Sequence, residues 1–245
     1  MPIRKTGLKA EDGLFSGARV TAWLLDAYKR LETHYGDLHW WPAQTVEEMV
    51  IGAILVQNVA WKNTQKALSN LDDAGLMSFS AIYAANIESV AEQVVPTRFY
   101  NMKAKRLKSF AEHLINKYDG ELTDMLSQPL DTLREELLSI PGIGPETADD
   151  IVLYGAGLPS FVVDAYTKRI LFRCGVIPER VDYEELRQWF MKHLPADPAM
   201  FNQFHALLDR TGNRCCLAKK PRCLDCALQE ICQFASDERR AAERD

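Results

Sequence analysis

Between Lys105 and Tyr118 the chain reads KRLKSFAEHLINKY, and its apolar positions Leu107, Phe110, Leu114, Ile115 and Tyr118 recur mostly three and four residues apart. A helix of about 3.6 residues per turn gathers such positions on one face, so the segment is predicted to be an amphipathic helix lying on a core. Similar stripes run through residues 18–35, 45–59, 130–140 and 202–210. Asp182 and Glu185 stand as a capping pair ahead of LRQWF. No segment alternates convincingly as a strand, and no repeat appears. The nearest exception, PSFVVDAY from Pro159, carries a short β-branched run, but its length favours a loop leading into a helix over YTKRILFRCG. Glycine and proline punctuate the chain near residues 36–42, at 96, and at 120–129, 141–145 and 155–159. Many short helices joined by tight turns predict an all-α fold.

The chain has 245 residues, 47% of them hydrophobic, enough for one large domain or two small ones with a real core. No apolar run approaches the roughly 18 residues of a membrane span, and MPIRKTGLKAEDG lacks the apolar stretch of a secretory signal, so a cytoplasmic protein is expected. The net charge of −5 argues against a nucleic-acid partner, but its distribution matters more than its sum. Acid gathers in DYEEL and ASDERRAAERD, whereas RFYNMKAKRLK and RTGNRCCLAKKPRC are basic and contain no acid. Each basic stretch is either a phosphate-facing patch or an ordinary solvated face.

Cys216, Cys223, Cys226 and Cys232 follow the order C-x6-C-x2-C-x5-C. Disulfides suit small secreted domains, so in a chain of this size without an export signal a metal or cluster is the better reading. Thiolates bind both zinc and iron-sulfur clusters, and ligand identity alone does not separate them. Cys215 gives the wrong spacing and Cys174 lies in an apolar helix, so both read as buried, inert thiols.

LLSIPGIGPETADDIV reads as a helix end, a glycine turn and a second helix. Gly142 and Gly144 would permit backbone conformations and a close approach that side chains block, and Pro145 suits a first helical turn. The amides at that helix start could bind an anion such as a DNA phosphate, or the glycines could serve the packing of an αα-hairpin. Asp164 follows twenty residues after Gly144.

PGIG, then Asp164, then the cysteine loop together resemble the helix-hairpin-helix, Gly/Pro-Asp superfamily of DNA glycosylases, over roughly residues 40–232. The resemblance implies a two-lobed helix-hairpin-helix fold: a six-helix barrel domain over residues 39–159, and an iron-sulfur cluster domain built from residues 1–38 and 160–245. It implies double-stranded DNA containing damaged bases as partner, held in the cleft between the lobes by a monomer, and a nucleoid-associated location in a prokaryote. The cysteine spacing resembles the loop of endonuclease III and its relatives, which implies a 4Fe-4S cluster on Cys216, Cys223, Cys226 and Cys232.

Within this resemblance Asp164 matches the catalytic aspartate, which stabilises the positive charge developing on the sugar as the base leaves; its plain alternative is a helix N-cap. Glu146 stands where endonuclease III-type enzymes carry the lysine that forms a Schiff base with the sugar. A carboxylate cannot do that, so a monofunctional glycosylase is expected, with Lys168 as the one amine one turn beyond Asp164 and a candidate DNA contact. Trp40, Trp41 and Trp61 within residues 39–64, taken with Glu146, resemble the 3-methyladenine DNA glycosylase III branch, whose aromatic pocket stacks an alkylated purine. Gln57 matches the residue that fills the space of the flipped base, with Asn58 beside it as the other candidate contact. That branch includes members without the cysteine cluster, so this chain departs from it. The reading is a monofunctional glycosylase removing alkylated purines. The alternatives are an endonuclease III-like glycosylase and lyase acting on oxidised pyrimidines, and a non-catalytic iron-sulfur DNA-binding module.

Overall fold

The structure is a computed structural model that describes residues 17–242; the readings that rest on residues 1–16 and 243–245 lie outside the described residues. Every regular element among the described residues is helical, and no described helix is long and apolar enough to cross a membrane. The chain divides into two compact units, residues 41–158 and residues 17–40 with 159–242.

In residues 41–158 the centre is α2 (Val46–Val56). Its run MVIGAILV has no polar face, and a helix apolar all round belongs in an interior: Met49 through Leu55 are all buried. Thr45 starts it, its hydroxyl accepting from the Glu48 amide at 3.1 Å. Around it come α3 (Trp61–Asp73), α4 (Phe79–Ala84), α5 (Ile87–Gln93), α6 (Tyr100–Tyr118), α7 (Leu122–Leu126), α8 (Leu130–Ser139) and α9 (Pro145–Asp150), which runs on into a π-helical turn, Ile151–Gly155. Helices α3, α6 and α9 pack on α2, while α4 and α5 pack on α6. The stripe of α6 is laid down as its spacing predicts, with Leu107, Phe110 and Leu114 buried and Ile115 and Tyr118 at the half-buried edge.

Two of the five cations in the basic stretch at the start of α6 are turned to the protein's own carbonyls. Lys103 is buried and its Nζ donates to the carbonyls of Ile54, Leu55 and Gln57 at 3.3, 3.0 and 2.8 Å, closing the C-terminus of α2. Lys108 does the same for α4 through Ile82, Tyr83 and Ala85 at 3.1, 2.7 and 2.8 Å. Cations at helix C-termini satisfy orphan carbonyls and oppose the negative end of the helix dipole. The second basic stretch is different: Arg214, Lys219, Lys220 and Arg222 are exposed.

Residues 17–40 and 159–242 contribute α1 (Ala18–Tyr35), α10 (Ala165–Arg173), α11 (Tyr183–His193), α12 (Pro198–Arg214) and α13 (Gln233–Ala242). Helices α1 and α10 pack on α12. The segment before α10 is an irregular loop whose β-branched run is buried, and its Phe161 stacks on Phe190 with ring centres 3.8 Å apart. Gly212 lets α10 approach α12: a Cβ there would lie 2.5 Å from Tyr166. Asp182 caps α11, accepting from the amides of Glu184 and Glu185 at 2.9 and 3.4 Å.

Candidate active site

The hairpin of residues 140–147 is built by one glycine rather than two. Gly142 has φ +94°, and a Cβ there would meet Arg106 Cγ at 2.3 Å, so both conformation and close approach require glycine. Gly144 departs from the expectation. Its φ of −96° is open to any residue, and it serves as the N-cap of α9 with nothing within 4 Å of where a Cβ would stand. Pro145 fills the first helical position, and Glu146 follows in the first turn, exposed. Arg134 clamps the second helix, its Nε and Nη2 donating to the Asp149 carboxylate at 2.8 and 3.1 Å.

Gln57 sits at the C-cap of α2 and touches the hairpin: its Nε2 donates to Thr147 Oγ1 at 2.7 Å and to the Gly142 carbonyl at 3.5 Å, while its Oε1 accepts from Arg106. Burial, then the nearby Arg106 charge, brings Lys103 beneath it down to about 8. Asn58 is exposed and left-handed, with φ +56°. The sequence therefore named Gln57 and the hairpin separately, and the structure joins them through Arg106, which periodicity had marked only as one cation in a basic run.

Trp41 and Trp61 meet edge to face, ring centres 5.4 Å apart at 89°, and Tyr154 joins Trp41 at 5.4 Å. All three are partly buried and pack on the core of residues 41–158. Trp40 lines a cavity with Tyr28, Asp37, His39, Met200 and Gln203. An exposed apolar group missed by the periodicity, Val95, Phe99, Tyr100 and Met102, stands at the start of α6. Phe99 is 70% exposed and left-handed at φ +37°. The signal available in sequence was the interruption of the stripe at RFYNM.

Asp164 is the N-cap of α10, Oδ1 accepting from the Thr167 amide at 2.6 Å. The capping role and a chemical one are compatible, because a carboxylate has a second oxygen. Oδ2 lies 3.9 Å from Nε2 of His205 on α12, and the two side chains are 13% and 8% exposed. One turn beyond His205, burial pushes the Asp209 carboxyl up, with His205 opposing and Asp164 adding to the shift. Asn213 donates to both Asp209 oxygens at 3.1 Å and accepts from the Tyr166 hydroxyl at 2.7 Å. Lys168 turns its Nζ to the Val181 carbonyl at 3.3 Å, 5.9 Å from the Tyr183 ring centre.

Cys216, Cys223, Cys226 and Cys232 line one small cavity with Arg173 and Pro221, and none of the four is in a disulfide. Arg173 holds the loop's start, donating to the Leu217 and Ala218 carbonyls at 2.7 and 3.1 Å and to Cys216 Sγ at 3.3 Å. A hydrogen bond from Cys174, with burial opposing it, leaves Cys232 at about 6, while burial pushes Cys226 up to about 12. Among the described residues no three Cys, His, Asp or Glu side chains converge so as to hold a single metal ion.

The described residues thus form an all-helical fold in which a glycine hairpin feeds a short helix and an aspartate caps a later one. Residues 51–196 match the family described as HhH-GPD superfamily base excision DNA repair protein, and the chain belongs to it. It is 44% identical over 207 residues to a protein of Methanocaldococcus jannaschii named as a DNA repair glycosylase, covering 84% of this chain and 93% of that one. It is 28% identical to endonuclease III of Thermotoga maritima over 186 residues, 76% of this chain and 82% of the relative. Among solved structures it resembles a trapped endonuclease III–DNA covalent intermediate, with a TM-score of 0.78 at 22% identity, covering 89% and 98% of the two chains. It also resembles the 3-methyladenine DNA glycosylase MagIII of H. pylori bound to 1,N6-ethenoadenine, with a TM-score of 0.68 at 27% identity over 78% and 96%. The protein is a DNA glycosylase of the endonuclease III-like HhH-GPD family.

Proposed function

We propose that this glycosylase is monofunctional and removes alkylated purines of the 3-methyladenine type from double-stranded DNA by hydrolysis, leaving an abasic site. The observation that carries the reading is the helix following the hairpin: its first turn holds Glu146, and residues 137–163 contain no lysine. A Schiff base needs a free amine near the sugar, and the Lys168 amine is engaged with the Val181 carbonyl. Asp164 then supplies negative charge to the oxocarbenium-like sugar and helps position water, through the oxygen that capping leaves available.

Trp41 and Trp61 would form the aromatic wall for an electron-poor base, supported by the likeness to MagIII, whose structure holds an ethenoadenine. Gln57, Asn58, Gly142, Gly144 and the exposed Phe99 turn would meet the duplex. The donor set is compatible with an iron-sulfur cluster: four thiols, none in a disulfide, line one small cavity. Cys216, Cys223, Cys226 and Cys232 would hold a 4Fe-4S group, which when bound supplies a cross-link to the loop.

Base release is the test, from a panel of alkylated, oxidised, deaminated and mismatched duplexes, with borohydride trapping alongside. Release of 3-methyladenine without a trapped adduct is expected. A borohydride-dependent adduct, with release of oxidised pyrimidines, would replace this reading with a lyase; binding without release of any base would replace it with a non-catalytic module.

A further inference from the structure

The reading of Asp164 leaves open what holds its carboxylate in the orientation that chemistry needs. Capping fixes one oxygen on the Thr167 amide at 2.6 Å, but a single contact lets the group turn about it. The second oxygen lies on the side of α12, where His205 Nε2 stands 3.9 Å away, its side chain only 8% exposed. His205 is buried on α12, which packs on α10, and has Asp209 one turn along the same helix. A buried ring in a fixed helix–helix interface is a rigid stop, whereas water at the same place would be mobile.

We propose that His205 is a positioning residue for Asp164, orienting Oδ2 toward the reacting sugar from a second helix, an inference that rests on Asp164 being the catalytic carboxylate. It touches neither base nor sugar in this role. Its effect falls on the chemical step and not on DNA affinity. A glutamine, whose amide nitrogen reaches the position of Nε2, restores most of what alanine removes.

Single-turnover base release and DNA affinity, measured on methylated duplex releasing 3-methyladenine and on the rest of the panel, test this for His205→Ala, His205→Gln, Asp164→Asn and the double variant His205→Ala/Asp164→Asn. His205→Ala is expected to slow release about 10- to 100-fold with affinity within about 3-fold of wild type. His205→Gln should recover about 5-fold or more of that loss, and His205→Ala should add nothing in the Asp164→Asn background. Wild-type release by His205→Ala overturns the inference, as does additive loss in the double variant. Equal collapse of the melting temperature in both His205 variants assigns the residue to structure and overturns it too. The two failures are distinguishable: full activity in Asp164→Asn, or no release by wild type from any duplex, removes the reading of Asp164, whereas an inactive Asp164→Asn beside a fully active His205→Ala removes only the role of His205.

Discussion

Asp164 and the tryptophans each carry a structural duty beside the chemical one proposed for them. Asp164→Asn keeps an oxygen to accept from the Thr167 amide, so α10 should keep its cap. What the substitution removes is charge, and excision should fall about 100-fold or more with duplex affinity retained. Retained activity would remove Asp164 from the catalytic role. For the tryptophans two readouts are needed, because Trp41 and Trp61 lean on the core of their unit as well as on each other. If Trp61 lines the base pocket, Trp61→Ala should cost about 1–3 kcal/mol of stacking and slow release of 3-methyladenine roughly 5- to 150-fold at an unchanged melting temperature. If it is a core residue, stability falls by about 3–5 kcal/mol together with activity. Trp40→Ala should slow release in the same way if Trp40 belongs to that wall, and leave it unchanged if the ring only lines its cavity beside Tyr28 and Met200. Which of the three rings pack on a core was not legible in the sequence, since HWWPAQT carries no helical period. His205 was equally hidden, because nothing in FHALL distinguishes a ring facing a carboxylate from one facing solvent.

At the scale of elements the helices were legible because burial follows the 3.6-residue period, and α1 spans the same residues as its stripe, Ala18–Tyr35. The basic run was not, since charge along a sequence does not say whether a lysine ends in water or on a helix C-terminus; Lys103 and Lys108 close α2 and α4. The joint of α6 and α8 is a second polar device. Glu136 is buried on α8 and accepts from Tyr118 at 2.7 Å and Gln128 at 2.7 Å, with Lys117 at 2.8 Å and His113 at 2.6 Å. Burial pushes its carboxyl up, but the hydrogen bonds from Lys117, Gln128, His113 and Tyr118 outweigh burial and hold it at about 2, below its ordinary 4.5. A depressed carboxylate contributes stability that is fully present above its unfolded value and lost as pH falls through the folded one. Glu136→Gln should therefore unfold at lower denaturant concentration than wild type at pH 7, and the gap should narrow between pH 4.5 and about 2. A gap independent of pH would show that Glu136 acts through shape and neutral hydrogen bonds alone.

For the molecule as a whole, the cysteine loop is where an apolar core runs thin. Between α12 and α13 its regular structure is a single short turn, Cys223–Asp225, with Leu224 78% exposed and only Cys215 and Leu228 buried. A segment with so little buried apolar surface does not offset the entropy of ordering its backbone, and a metal cross-link is the usual remedy in small loops. Protein contacts supply part of the anchoring: Arg173 holds the Leu217 and Ala218 carbonyls from α10, Arg30 meets Glu230 at 2.8 Å, and Arg239 donates to the Gln229 carbonyl at 3.3 Å. The cluster proposed on Cys216, Cys223, Cys226 and Cys232 would supply the rest. The purified protein should accordingly be yellow-brown, with the broad visible absorbance of an iron-sulfur protein. Cys223→Ser should weaken or abolish that absorbance, and proteolysis should then cut between residues 217 and 232 while residues 41–158, whose core shares no ligand with the loop, resist. Chelation of iron from the wild-type protein should reproduce the same cutting pattern. A colourless protein carrying one zinc would replace the cluster with a mononuclear site, and a loop equally resistant with and without metal would mean that these protein contacts and the few buried residues suffice.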